Sequence, residues 1–145
     1  MENEIFVGQS FEAYLHQYSL VKEQQSTYNF NIETNKLKIL EADAITQFVQ
    51  FLGNATIVGH RINFDIEIIN TALKKLNCGK LKNEAFDIEV MYRKWKEIID
   101  DKEISIEEME KVFKLKPLET ISSIEEAYTI ALLFLKLKNK LENRN

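Results

Sequence analysis

Cysteine occurs once in the 145 residues, at Cys78, which excludes an intramolecular disulfide and a zinc site built on thiolates, and fits a reducing, cytoplasmic setting. No apolar run approaches the roughly 18 residues of a membrane span. The opening Met1-Glu2-Asn3-Glu4 lacks the basic-then-apolar order of a signal peptide, so a soluble chain without membrane association is expected. Positive charge is in deficit: 19 Lys and Arg against 23 Asp and Glu leave a net charge of −4. Any contact with nucleic acid must therefore rest on a local basic patch or on bound cations. The candidate patches are Lys74, Lys75, Lys80 and Lys82, then Arg93, Lys94 and Lys96, then the tail from Lys136 to Arg144. Lysines near a helix C-terminus also have a plainer role, as partners of the helix dipole. With 45% hydrophobic residues the chain can bury the core of a single domain.

Along the chain, residues 4 to 16 place Ile5, Val7, Phe11, Ala13 and Leu15 on one side at period two, the pattern of a strand with one buried face, with a helix over its second half through Phe11, Tyr14, Leu15 and Tyr18 as the weaker rival. Residues 17 to 40 are polar and irregular and are expected to form a loop. From Glu41 to Leu52 the apolar residues recur at helical spacing, and Gly53-Asn54 supplies the stop. Ala55 to Gly59 suits a short buried strand. Phe64 to Asn77 suits an amphipathic helix carrying Ile66, Ile69, Leu73 and Leu76, closed by Gly79. Two further helices are expected over Asp87 to Glu97, capped by Asp87, and Ser105 to Leu115, opened by a Ser105–Glu108 capping box. The lone proline, Pro117, separates them from a last helix that starts near Ser123 and turns Ala127, Ile130, Ala131, Phe134, Leu137 and Leu141 inward, with a frayed basic tail. Alternating strands and helices without a linker imply a single α/β domain over residues 1 to 145.

The most specific segment is Ile57-Val58-Gly59-His60-Arg61-Ile62-Asn63-Phe64-Asp65, a strand, a glycine turn and a helix whose first turn carries a carboxylate. It resembles the second motif of the DEDD 3′–5′ exonucleases, DEDDh-type and DnaQ-like, a V-G-H-N-x-x-F-D pattern whose aspartate is a metal ligand. Phe86-Asp87 with Arg93 resembles the next family segment. Leu118-Glu119 through Glu125-Glu126-Ala127 to Phe134 resembles the third motif, H-x-A-x-x-D-A followed by a helix. The resemblance implies an incomplete ribonuclease H-like fold, a small sheet packed with about five helices. It also implies metal-dependent phosphodiester hydrolysis with magnesium or manganese, acting on single-stranded nucleic acid. Asp65 and Glu126 take the metal-ligand positions, and His60, Arg61, Asn63 and Phe64 are the residues expected to face the strand.

The family holds two ions with four carboxylates and uses a histidine as general base. Here the chain aligns from the turn before the family's third strand, so the first two strands and their D-x-E pair are expected to be lacking. The histidine position falls on Ile121, which takes no proton, and the aspartate position on Glu126, whose extra methylene displaces its oxygens. Phe30-Asn31-Ile32-Glu33-Thr34 mimics the first motif, but it lies only roughly thirty residues ahead of the second, too few for two strands and a helix of about eleven residues. It reads as a coincidence.

Each candidate has a structural alternative. Asp65 in a first helical turn complements the dipole. Glu126 can close a capping box with Ser123, and His60 can serve as a hydrogen-bonded strut. Tyr92 and Trp95 are expected to pack rather than stack on bases. The expected outcome is an exonuclease-like domain with impaired catalysis, or a non-catalytic binding or assembly module with the same fold. With a central strand lacking, the strands at Ile5 to Leu15 and Ala55 to Gly59 are expected either to close on each other or to pair with another subunit, most simply in a homodimer.

Overall fold

The apolar run Ile57-Val58-Gly59 has too few residues for a helix and is flanked by polar turns, so burial in a sheet is its natural state. In the computed structural model of the chain, which describes residues 11–15, 38–117 and 122–144, it pairs in parallel with Ala85-Phe86-Asp87 in the register Ile57 to Ala85 and Gly59 to Asp87. The described elements are β1 (Tyr14–Leu15), β2 (Lys38–Ile39), α1 (Glu41–Leu52), β3 (Ile57–Gly59), α2 (Ile62–Lys75), β4 (Ala85–Asp87), α3 (Ile88–Lys96), α4 (Ile106–Val112) and α5 (Ser123–Glu142). The architecture is α/β with five helices among the described residues. β3, α2 and β4 form a crossover unit, in which a helix joins two adjacent parallel strands.

The core lies where α3, α4 and α5 meet the sheet. Ile88, Tyr92, Met109, Leu133 and Leu137 are buried there with Ile104, and Val58 of β3, Trp95, Phe113 and Phe134 pack around them. α3 and α5 make the broadest helix contact, and α5 also lies on β3. α1 packs on α2, where Ala44, Ala72 and Leu73 are buried outside that cluster. Phe11 reaches α1 through ring contacts with Phe48 and Phe51 at 6.0 and 5.9 Å.

Several expectations are corrected. Residues 38–39, expected in a loop, form β2 and pair in parallel with β1. Of the strand expected over residues 4 to 16, Tyr14–Leu15 forms, residues 11–13 are not strand, and residues 1–10 and His16 lie outside the described residues. Ala85–Asp87 was expected to contain only a helix cap. It is a strand, whose three-residue length is too short for a period-two signal. β3 therefore pairs with β4, and β1 with β2, rather than β1 and β3 closing on each other.

α2 starts at Ile62, two residues early, and ends at Lys75, closed through Leu76 and Asn77 rather than at Gly79. Asn77 adopts a left-handed conformation (φ 57°), its N–H bonds Lys74 O at 3.0 Å and the Cys78 N–H bonds Leu73 O at 2.9 Å, a full Schellman closure. The inward face of α5 centres on Thr129, Leu133 and Leu137, and Ala127 is exposed. The helix continues to Glu142, and Arg144 is held by Lys94 O and Glu97 rather than frayed. Helix α1, the Gly53 stop at φ 53° and the Asp87 cap form as expected, and of the Ser105–Glu108 box the bond from the Glu108 N–H to Ser105 Oγ forms. No helix among the described residues is long and apolar enough to cross a membrane.

Candidate functional site

The site is built on the turn that leaves β3. Gly59 is buried at the strand end, and a Cβ there would lie 2.4 Å from Ile62 Cδ1 and 3.1 Å from Ile62 Cβ. The first residue of α2 therefore packs directly over the glycine. Between them Arg61 takes the left-handed conformation (φ 54°, ψ 47°), uncommon for a residue with a side chain. That conformation lets the helix start one residue after the turn while the guanidinium reaches across to α3.

What it reaches is Glu89, a carboxylate the sequence analysis did not single out. Glu89 is buried, and its oxygens accept from Arg61 Nε at 2.9 Å, from the Ile104 N–H at 2.9 Å and from Arg93 Nη2 at 3.4 Å. Arg61 Nη2 also pairs with Glu103 at 3.3 Å, and Arg93 bonds the carbonyls of Asp100 and Lys102. Burial alone would raise the Glu89 pKa, but the Ile104 N–H, Arg61 and Arg93 outweigh it and hold the carboxyl below its ordinary range. The available signal was the i, i+4 spacing of Glu89 and Arg93 on α3. Nothing local indicated that Arg61, 28 positions earlier, would join them.

His60 belongs to the same cluster. Its Nε2 lies 2.8 Å from Ile104 O and 3.4 Å from Glu89 Oε2. Both neighbours are acceptors, so Nε2 carries the proton and donates to the carbonyl. This is the strut arrangement, tying the β3 turn to the segment that precedes α4.

Asp65 sits in the first turn of α2, exposed by area. Partial desolvation nevertheless raises its carboxyl pKa, and the nearby His60 opposes the rise. Asn63 and Phe64 on the same turn are exposed, Phe64 at 67%, and Ile68 one turn further on is exposed at 68%. Glu126 lies in the first turn of α5. Its N–H bonds the Ser122 carbonyl at 2.9 Å, Ser122 is the N-cap and no side chain caps this helix, so the Ser123–Glu126 capping box does not form.

His60 of the β3 turn and Glu126 of α5 line one cleft of about 510 Å³, together with Ser105, Glu107, Glu110 and Lys111 among others. Asp65 is not part of the lining. Glu110 is buried there with one carboxylate oxygen unpartnered, and burial together with Glu107 raises its pKa. Among the described residues no three His, Cys, Asp or Glu side chains converge as a metal set requires. Asp65 and Glu126 thus stand apart, Glu126 in the cleft lining and Asp65 outside it. Ile121 and the Phe30 to Thr34 segment lie outside the described residues.

A curated protein named DNA polymerase III PolC-type, from Caldanaerobacter subterraneus subsp. tengcongensis, is 27% identical to this chain over 100 residues. The matched stretch is 69% of this chain and 7% of the polymerase. No family model matches the sequence.

Proposed function

We propose that the chain is a 3′–5′ exonuclease-like domain that associates with single-stranded nucleic acid and is catalytically impaired. The carrying observation is the likeness over 100 residues to a DNA polymerase III PolC-type. The β3 turn supports it, because there the Val58 to Asp65 motif forms a strand, a close-packed glycine and a helix with the carboxylate in its first turn. Impairment follows from the chemistry of the residues. The third-motif histidine position carries the aliphatic Ile121, and the remaining histidine of the site, His60, has Nε2 committed to a backbone carbonyl. General base catalysis contributes about 10² to 10⁴ in rate, so its loss alone leaves a slow enzyme. In this reading Asp65 and Glu126 are residual ligand positions for magnesium or manganese, suited to an all-oxygen set. His60 and Arg61 hold the turn, and Asn63 and Phe64 face the strand.

A second reading, a non-catalytic binding or assembly module with the same fold, is favoured by the separation of Asp65 from the cleft that Glu107, Glu110 and Glu126 line. One assay separates the two. A 5′-labelled single strand is incubated with the chain in magnesium and then manganese, beside Asp65→Asn. Slow, metal-dependent shortening that disappears in the variant supports residual exonuclease chemistry. No shortening in either metal removes the catalytic reading and leaves the module.

A further inference from the structure

Two basic stretches more than forty residues apart in sequence become one surface at the C-terminal ends of α3 and α5. Lys96 Nζ of α3 lies 4.3 Å from the centroid of the Trp95 ring, and Lys140 Nζ of α5 lies 5.8 Å from the same centroid. Their ammonium groups are therefore at most about 10 Å apart, a separation equal to the Debye length of about 10 Å at 0.1 M salt, and repel. The ring they share is held from within: Phe113 stacks on it at 5.2 Å and Tyr92 meets it edge-on at 5.9 Å. The two helix ends are latched by Arg144, which bonds Lys94 O at 2.6 Å and Glu97 Oε1 at 2.5 Å.

The carboxylates nearby are spoken for, Glu97 by Arg144 and Glu142 by Lys138. Among the described residues no carboxylate pairs with Lys94, Lys96, Lys136 or Lys140, all of them exposed, and Lys136 lies one turn before Lys140 on the same side of α5. The helix dipoles do not account for this charge. Two C-termini present about −0.5 each, which offsets about one of four lysines. In a chain of net charge −4 an unpaired cationic surface around a fixed aromatic ring calls for an anionic partner.

We propose that Lys96 and Lys140, which meet at Trp95, together with the exposed Lys94 and Lys136 of the same two helices, bind the phosphate backbone of single-stranded nucleic acid. The choice of nucleic acid among polyanions rests on the exonuclease-like reading, and the surface itself rests on the geometry. It involves none of the residues at the β3 turn or the cleft.

Trp95 is the chain's single tryptophan, so its emission reports on this surface alone. The full chain is titrated with oligothymidylate and with oligouridylate at several salt concentrations, with Trp95 emission and the anisotropy of a labelled strand read together. Polyglutamate serves as the polyanion without phosphate. The expected result is a saturable change in emission with the oligonucleotides and not with polyglutamate. The Lys96→Gln/Lys140→Gln double variant is expected to lower the slope of log affinity against log salt by about 1.4, two contacts at about 0.7 each for a single strand. Binding seen by anisotropy that survives the double variant, an equal response to polyglutamate, or no binding overturns the proposal. A chain that shortens DNA yet shows no Trp95 response loses this surface and keeps the exonuclease-like reading. Salt-dependent binding at Trp95 without shortening keeps this surface and leaves the non-catalytic module.

Discussion

Alanine at Gly59 places a methyl group against Ile62, whose Cβ and Cγ1 would stand 3.1 Å away, closer than van der Waals contact allows. The distal Cδ1 can rotate aside, but the Cβ belongs to the first residue of α2 and moves only with the helix. Gly59→Ala is therefore expected to cost about 1–3 kcal/mol, the usual range for overpacking, read as a lowered denaturant midpoint with unchanged slope. Glu89 and Glu110 should respond to pH with opposite signs. The folded pKa of Glu89 lies below its ordinary 4.5, so its contribution to stability is present above that value and is lost as pH falls through the depressed one. Glu89→Gln is expected to cost about 2 kcal/mol at neutral pH, the scale of hydrogen bonds to a charged group, with the difference from the parent shrinking in acid. The folded pKa of Glu110 lies above 4.5, so the folded state binds its proton more tightly and the stability it contributes falls as pH rises through that window. Glu110→Gln should raise Tm at neutral pH, and the gain should vanish in acid. Melting curves of the three proteins across pH test both signs. The same opposition could not be read from the sequence, where both glutamates occupy helices as unremarkable surface-type residues.

At the scale of elements, the helix ends separate what local sequence specifies from what it does not. The caps at Asp87 and Ser105 form because a short polar side chain directly before a helix bonds an N–H two or three positions on, a contact that needs no tertiary partner. The stop of α2 was assigned to Gly79 on composition, yet Asn77 takes the left-handed conformation. Asn77→Ala is expected to cost about 1 kcal/mol, because the left-handed region penalises a Cβ by about 1–2 kcal/mol and asparagine tolerates it best. Gly79→Ala has open space around the added methyl and should stay within about 0.5 kcal/mol. Thermal melts of this pair distinguish the two stops directly. The strands β2 and β4 escaped notice for a different reason. Two or three residues carry less than one full alternation, and only a neighbouring strand defines them.

For the molecule as a whole, stability depends on the contact between α5 and its neighbours, and the buried positions of α5 show which face is meant. Leu133 is fully buried and Ala127 is exposed. Leu133→Ala is expected to cost about 2–5 kcal/mol, the range for emptying a core leucine site, whereas Ala127→Ser should be near neutral; chemical denaturation measures both. The apolar residues of α5 were recognised in sequence, but Leu132, Leu133, Phe134 and Leu135 run consecutively, so periodicity alone could not say which of them faces inward.

The sequence by itself determined the α/β class, the helical segments, the glycine turn with Asp65 at the head of α2, and the resemblance that motivates an exonuclease-like reading. Each of these is local, written in spacing over a few residues or in a contiguous motif. The tertiary structure alone decided that β3 pairs with β4, that Glu89 gathers Arg61, Arg93, His60 and the Ile104 amide, and that Lys96 and Lys140 meet over Trp95. These contacts join residues that are far apart along the chain. Their partners are chosen by which helices share the core, a property of packing that no stretch of sequence carries alone.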